Sequence, residues 1–204
     1  LVHLAGLVEV MLRDALRVTL HGTPGDIERL SAADDDIDSL YGAIIRYLRK
    51  LAQRVLVARQ PQQLNDLVGI ANYLENIGDV IEKDLLPLAA KRRRLEVVVT
   101  PDTEAKLRAL EAAVCEAFAK SVAAIESGDR EEAMDVLESK AVVAELAEEV
   151  SEQLVARLVA EEARRLESFQ VESDIVEIYL RLNALSRRIA RLAAADRMAG
   201  ILSG

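Results

Sequence analysis

The sequence predicts an all-α protein built from two tandem three-helix bundles. Long stretches carry apolar residues at helical spacing, which is the pattern of amphipathic helices. The composition is rich in Leu, Ala, Glu and Arg, with nine glycines and four prolines in 204 residues, as is typical of long helices. The only strand-like stretch, Glu96–Val99, is short and is predicted to be a linker.

Three helices are predicted in the first half. They run from the N-terminus to about His21, from Thr23 to about Ala58, and from Pro61 to Arg94. Gly22 ends the first helix, and Thr23-Pro24 supplies an N-cap followed by a first-turn proline. The third helix has the stripe Leu67, Ile70, Leu74, Ile77, Ile81 and Leu88.

The second half repeats this order of helices. Helices are predicted from Thr100 to about Ser127, from Asp129 to about Glu167, and across the stripe Ile175, Ile178, Leu182, Leu185, Ile189 and Leu192. Gly25-Asp26 and Gly128-Asp129 occupy matching turns, which indicates an internal repeat of about a hundred residues. We therefore predict two domains, 1–96 and 97–204.

Composition and charge exclude several function classes. The net charge of −9 argues against binding nucleic acid by general electrostatic attraction. The single cysteine, Cys115, excludes an internal disulfide framework and is predicted to be a small core residue. No apolar run approaches the roughly 18 residues that a membrane helix needs.

Two pairs of carboxylates have the spacing of a cation site. Asp34 and Asp38 on the second helix, and Glu75 and Asp79 on the third, are each one helical turn apart. Antiparallel packing of these helices would bring the pairs together on the outer face of the bundle. Oxygen ligands suit Mg²⁺, Mn²⁺, Ca²⁺ or ferric iron, and Gly78 in a helix interior indicates a close approach there. A solvated acidic face is the alternative interpretation.

The residues around these carboxylates resemble a known family. The runs Asp34–Tyr41 and Leu74–Asp79 look like both parts of the first repeat of PhoU-like domains. That resemblance implies a role for Asp34, Asp38, Glu75 and Asp79 in binding metal on the bundle surface. The flanking runs Leu7–Leu12 and Val80–Leu85 look more like the C-terminal cytoplasmic domains of sodium/phosphate cotransporter proteins.

The resemblance implies a non-catalytic regulator of phosphate uptake. Its expected partners are a membrane transport domain in the same parent chain and a signalling protein, with homo-oligomerisation left open. The expected location is the cytoplasmic face of the cell membrane. The chain starts at Leu1 without an initiator methionine, so we expect it to be a fragment of a longer protein.

The second half departs from the family pattern. The positions expected to carry acids hold Glu138 and Val142 on its second helix, and Leu180 and Ala184 on its third. Three cations follow on that third helix: Arg187, Arg188 and Arg191. We therefore expect one metal site in the chain, in the first half, or none.

Three alternative functions remain open at this point. One is a free-standing PhoU-type regulator, and another is a helical adaptor without metal. A di-iron carboxylate enzyme would need Glu-x-x-His on paired helices, and neither His3 nor His21 has a glutamate three residues before it.

Two further features allow more than one interpretation. The basic run Lys91–Arg94 complements a helix C-terminus or contacts anionic lipid or phosphate. Tyr73 either packs on a neighbouring helix or flanks the ion.

Overall fold

Two three-helix bundles follow one another along the chain. The computed structural model describes residues 1–53, 60–158 and 164–194. The described helices are α1 (Val2–His21), α2 (Pro24–Ala52), α3 (Gln60–Val80), α4 (Leu86–Arg94), α5 (Pro101–Ser127), α6 (Arg130–Leu158) and α7 (Arg165–Ala193). A π-helical segment, Ile81–Leu85, joins α3 to α4. The described residues contain no strand, so the all-α prediction is confirmed.

Helix α1 lies in the middle of the first half. Its apolar residues include Leu4, Val8, Met11 and Leu16, all fully buried. It packs on α2, α3 and α4 within the first bundle and also on α5 of the second. Burial on several sides explains why α1 is more apolar around its circumference than the surface helices.

Threonine N-caps open two of the long helices, as the sequence predicts. Thr23 Oγ1 accepts a hydrogen bond from the Asp26 amide at 3.2 Å, and Asp26 Oδ2 accepts one from the Thr23 amide at 2.8 Å. Thr100 Oγ1 accepts from the Thr103 amide at 3.4 Å. These bonds satisfy amides that the helices leave unpaired, and a cap of this kind is worth about 1 kcal/mol.

The third predicted helix is not continuous. The π-helical segment Ile81–Leu85 interrupts it, and α4 then runs from Leu86 to Arg94. Pro87 lies at the start of α4 and has no amide hydrogen to donate one turn back, toward Lys83. A wider turn just before such a proline accommodates the missing hydrogen bond. The predicted helix from Pro61 to Arg94 is otherwise confirmed, and only the π-helical segment within it was not predicted.

One predicted helix end differs from the structure. Helix α6 is described to Leu158, and Arg165 already belongs to α7, so the predicted end at Glu167 is wrong. Arg164 has a φ of 60°, and a left-handed residue of this kind separates the two helices. The predicted end of α2 at Ala58 falls outside the described residues.

The two halves pack on each other mainly through α3 and α7. A β-carbon at Gly69 would lie 2.7 Å from Leu192 Cδ1, so glycine permits the close approach of these helices. The Arg188 guanidinium carbon lies 5.7 Å from the Tyr73 ring centroid, a cation–π contact. Tyr73 therefore packs toward a neighbouring helix. The predicted domain boundary at 96/97 stays a prediction.

The basic run Lys91–Arg94 ties the linker to the end of α1. Arg92 donates to the carbonyl oxygens of Thr19 at 3.1 Å and Val97 at 3.2 Å. Arg93 donates to the Gly22 carbonyl at 3.1 Å. Two cations of this run thus satisfy carbonyls at the α1 C-terminus, which agrees with the helix-terminus interpretation.

Candidate metal centre

The α2–α3 face gathers five carboxylates, which we call the acidic cluster: Asp34, Asp38, Glu75, Asp79 and Glu82. Oxygen atoms of Asp38, Glu75 and Asp79 lie within 4.8 Å of one another. Oxygen atoms of Asp34, Asp79 and Glu82 form a second group within the same limit. Because Asp79 belongs to both groups, the cluster is continuous along the seam between the helices.

Asp34 lies at the bottom of this cluster, against α3. Its side chain is almost fully buried, with 4% of its surface exposed. Its Oδ1 atom is buried and has no hydrogen-bond partner. A β-carbon at Gly78 would lie 2.5 Å from that oxygen, so the glycine creates the space that Asp34 occupies. The close approach predicted at Gly78 is confirmed.

Burial and mutual repulsion disfavour ionisation within the cluster. Burial, followed by the charges of Glu82, Asp38 and Asp79, raises the pKa of Asp34 to about 7. Burial and the charges of Asp79 and Asp38 also raise the pKa of Glu75. A carboxylate that is buried without a counter-charge is costly. The cluster therefore lacks enough positive charge of its own.

One ammonium group partly offsets this negative charge. Lys83 Nζ donates to Asp79 Oδ1 one turn away, with the lysine side chain largely exposed. Glu82 Oε1 accepts a hydrogen bond from Ser31 Oγ at 2.8 Å. Lys83 thus occupies the solvent side of the cluster, whereas Asp34 faces the interior.

The donor set fits a hard cation. All the candidate ligands are carboxylate oxygens, which Mg²⁺, Mn²⁺, Ca²⁺ and ferric iron prefer. A cation between α2 and α3 would bind the unpartnered Asp34 oxygen. Gly78 leaves the room that the Asp34 side chain occupies. A bound ion would also supply the positive charge that the five acids lack.

The four residues identified from sequence all lie in the cluster. Asp38 is exposed, and Glu75 and Asp79 are half-buried, so these three lie on the outer surface. Asp34 differs from the predicted outward position, because it turns into the α2–α3 seam beside Gly78.

Glu82 was missed in the sequence analysis. It stands three residues after Asp79 and seven after Glu75, on the same helix face, and that spacing was the available signal. Assigning the four residues as metal ligands remains a prediction.

The second half has a neutral contact in place of the Asp34–Gly78 approach. Ser139 Oγ donates to Asn183 Oδ1 at 3.0 Å, across 44 residues, the same separation as Asp34 and Gly78. Ser139 and Asn183 are thus separated along the chain as Asp34 and Gly78 are, and Ser139 lies one residue after the Glu138 position expected from the sequence. The same offset puts two apolar residues and a cation where α3 has its acids: Leu180, Ala184 and Arg187. Among the described residues, the second half has no carboxylate group of this kind.

Other titratable residues do not form a reactive centre with the cluster. Cys115 is buried, and burial raises the pKa of its thiol to about 11, so it is a core residue as predicted. His21 Nε2 contacts Glu104 Oε1 at 2.9 Å, linking α1 to α5 far from a second histidine. No helix in the described parts of the chain is long and apolar enough to span a bilayer.

Comparisons with known proteins show which proteins this chain resembles. Residues 1–83, which contain α1, α2, α3 and all five residues of the acidic cluster, match the PhoU domain. The chain is 24% identical over 179 residues to the putative inorganic phosphate export protein YjbB of Salmonella typhimurium. The corresponding protein of Escherichia coli K12 gives the same identity. These alignments cover 88% of this chain but 33% of each relative, so the chain spans about a third of their length.

The fold itself also has a solved counterpart. The crystal structure of PhoU from Pseudomonas aeruginosa superposes with a TM-score of 0.81 at 22% sequence identity. The superposition covers 94% of this chain and 90% of that one. The first 83 residues therefore match the PhoU domain in sequence, and the chain as a whole has the fold of that PhoU structure.

Proposed function

We propose that this chain is a non-catalytic regulatory domain of phosphate transport that binds a metal ion through its acidic cluster. The observation that carries the metal-binding role is the Asp34 oxygen, buried without a partner beside Gly78. Five carboxylates share a seam with one lysine. A divalent or ferric ion there would relieve the repulsion and desolvation that raise the pKa of Asp34.

The phosphate-related role is supported by the PhoU domain match and by the relatives' description as putative phosphate export proteins. Within that role, we propose a cytoplasmic tail of a sodium-dependent phosphate cotransporter. The chain would report phosphate or metal status to a membrane transport domain in the same parent chain, or to a signalling protein.

A free-standing PhoU-type regulator is the second candidate. It is favoured by the superposition on PhoU of Pseudomonas aeruginosa, which covers nearly the whole of both chains. The full reading frame distinguishes the two candidates. Hydrophobic spans encoded upstream of Leu1 support the transporter tail, and an open reading frame that starts within about twenty codons of Leu1 without such spans contradicts it.

Elemental analysis of the purified protein tests the metal site. Replacing Glu75 and Asp79 together with Ala removes one acid from one group and the acid shared by both groups. We expect metal content to fall close to zero in this double variant. A matched control replaces Asp35 and Asp36, which are exposed on α2 and belong to neither group, and should retain the metal.

Two results would contradict the metal site. One is metal content in the Glu75→Ala/Asp79→Ala variant that equals that of the wild type. The other is a wild-type protein that takes up no Mg²⁺, Mn²⁺, Ca²⁺ or ferric iron, which would favour a helical adaptor without metal.

A further inference from the structure

The second half exposes apolar side chains on its α6–α7 face. Val155 on α6 is 56% exposed, and Leu180 on α7 is 38% exposed. Leu158 and Leu166, near the α6–α7 connection, are 37% and 61% exposed. Single exposed apolar residues are ordinary, but several along one helix pair indicate an interaction surface.

A groove runs between α6 and α7 through the middle of this face. Its volume is about 310 Å³, and the residues that line it are Ser151, Val155, Phe169, Ser173, Val176, Glu177 and Leu180. Leu158 follows Val155 by three residues, and Leu166 precedes Phe169 by three, so both extend the apolar stripe along the seam. We call this surface the α6–α7 groove.

Acidic residues flank the groove. Glu148 and Glu152 are exposed on α6, and Glu177 is exposed on α7 at the groove itself. None of these three has an ion pair or side-chain hydrogen bond within the described ranges. The rim therefore presents negative charge that nothing in this part of the chain neutralises.

We propose that the α6–α7 groove binds a basic amphipathic helix of a partner protein. The apolar side chains of the partner helix would pack on Val155, Phe169 and Leu180. The partner helix, α6 and α7 would then form a three-helix contact. Its Lys and Arg residues would pair with the acidic rim, which favours association through complementary charge.

The rim's charge distinguishes this occupant from two others. A second copy of the chain, related by two-fold symmetry, would place acidic rims against each other. An anionic lipid surface would be repelled by the same residues. The surface is formed by the second half and contains no residue of the acidic cluster, so this inference does not depend on metal binding.

A synthetic helical peptide tests the proposal. The probe is a peptide of Leu and Lys with Leu at positions i, i+3, i+4 and i+7, and the control peptide has the same composition with the periodicity scrambled. Fluorescence anisotropy should show the amphipathic peptide binding the full chain at least tenfold more tightly than the scrambled one. Equal binding of the two peptides, or no binding of either, would overturn the proposal.

Substitutions locate the binding surface. Val155→Glu with Leu180→Glu should weaken peptide binding at least tenfold, whereas Val98→Glu, at a 76% exposed valine outside the groove, should leave it unchanged. Glu148→Gln with Glu152→Gln should weaken binding and reduce its salt dependence.

Three results would contradict the surface assignment. An equal loss of peptide affinity in Val98→Glu and in the Val155→Glu/Leu180→Glu variant would show that the peptide does not bind in the groove. A dimer that Val155→Glu dissociates would identify a second copy as the occupant. Binding to vesicles of anionic lipid that the groove variant abolishes would identify a membrane.

Discussion

At the residue scale, the candidate site depends on one buried acid and the glycine that makes room for it. Asp34 lies in the α2–α3 seam because Gly78 has no β-carbon to occupy that space. Glycine inside a helix costs about 1 kcal/mol relative to alanine, so Gly78 lowers the stability of α3. The compensating gain that we propose is a carboxylate oxygen available to an ion.

Gly78→Ala should weaken metal binding. The new β-carbon would lie 2.5 Å from Asp34 Oδ1, so that side chain must move. We expect a loss of affinity of about tenfold or more, corresponding to about 1.4 kcal/mol, measured by calorimetric titration with Mn²⁺. Gly6→Ala is the matched control, because a β-carbon there has no neighbour within 4 Å. It should stabilise α1 by up to about 1 kcal/mol and leave affinity unchanged. Equal affinity in both variants would remove Gly78 from the account.

Lys83→Met should tighten metal binding. The ammonium group pairs with Asp79 and so competes with a cation for the acid shared by both carboxylate groups. An exposed pair of this kind is worth about 0.2–1 kcal/mol, and we expect affinity to rise roughly 2- to 5-fold. Lys120→Met, which removes an exposed pair with Glu116 in the second half, serves as the control. Weaker binding in Lys83→Met would show that the lysine assists the site.

Glu111 should make stability depend on pH. Its Oε1 atom is buried without a hydrogen-bond partner, and burial raises its pKa to about 7, with the charge of Arg108 opposing the shift. It lies at the α1–α5–α7 contact, near Asp14 on α1 and Tyr179 on α7. The folded state holds this proton more tightly than the unfolded state, so the contribution is fully present below about pH 4.5 and is lost as pH rises toward 7.

Glu111→Gln should remove this contribution. Compared with wild type, the variant should lose less stability between pH 4.5 and 7 and be about 1–2 kcal/mol more stable at pH 8, because an ionised buried carboxylate is absent. Urea unfolding at several pH values measures this. Glu116→Gln, at an exposed position on the same helix, should follow the wild-type curve. A Glu111→Gln curve parallel to wild type would contradict the assignment.

At the element scale, the basic run Lys91–Arg94 in the last turn of α4 holds the C-terminal end of α1 in place. Arg92 donates to the Thr19 and Val97 carbonyl oxygens, whereas the Arg94 side chain makes no hydrogen bond or ion pair within the described parts of the chain. Arg92→Ala should therefore destabilise the protein by about 1–3 kcal/mol in urea unfolding, since buried carbonyls lose a charged donor. Arg94→Ala should change stability by less than about 0.5 kcal/mol. Equal losses of stability in Arg92→Ala and Arg94→Ala would contradict a structural role for the Arg92 hydrogen bonds.

The elements also show what sequence patterns can and cannot give. Apolar stripes predicted the helices because buried positions recur every 3.6 residues along an amphipathic helix. Thr-Pro pairs predicted two helix starts because the first amides of a helix need side-chain acceptors. The π-helical segment was not predicted, because it depends on the hydrogen bond that Pro87 cannot donate to a carbonyl one turn earlier. The pattern of apolar residues contains no information about that bond. The buried position of Asp34 was not predicted, because it depends on how closely α2 approaches Gly78 of α3. The apolar pattern of a single helix does not give the distance between two helices.

At the scale of the whole molecule, the two halves share a fold but differ in chemistry. The seam of the first half concentrates carboxylates, and the equivalent seam of the second has a Ser139–Asn183 hydrogen bond and apolar neighbours. This difference is the basis of our two proposals, an ion site in the first bundle and a helix-binding groove in the second. The contact between α3 and α7 joins the two halves.

Anomalous X-ray diffraction from crystals grown with Mn²⁺ tests the central claim most directly, because it locates the ion itself. We predict an anomalous peak in the first half between α2 and α3, about 2.0–2.6 Å from carboxylate oxygens of the acidic cluster. Asp79, which belongs to both carboxylate groups, should be among its ligands. An absence of any peak at this seam, or a peak only in the second half, would contradict the account.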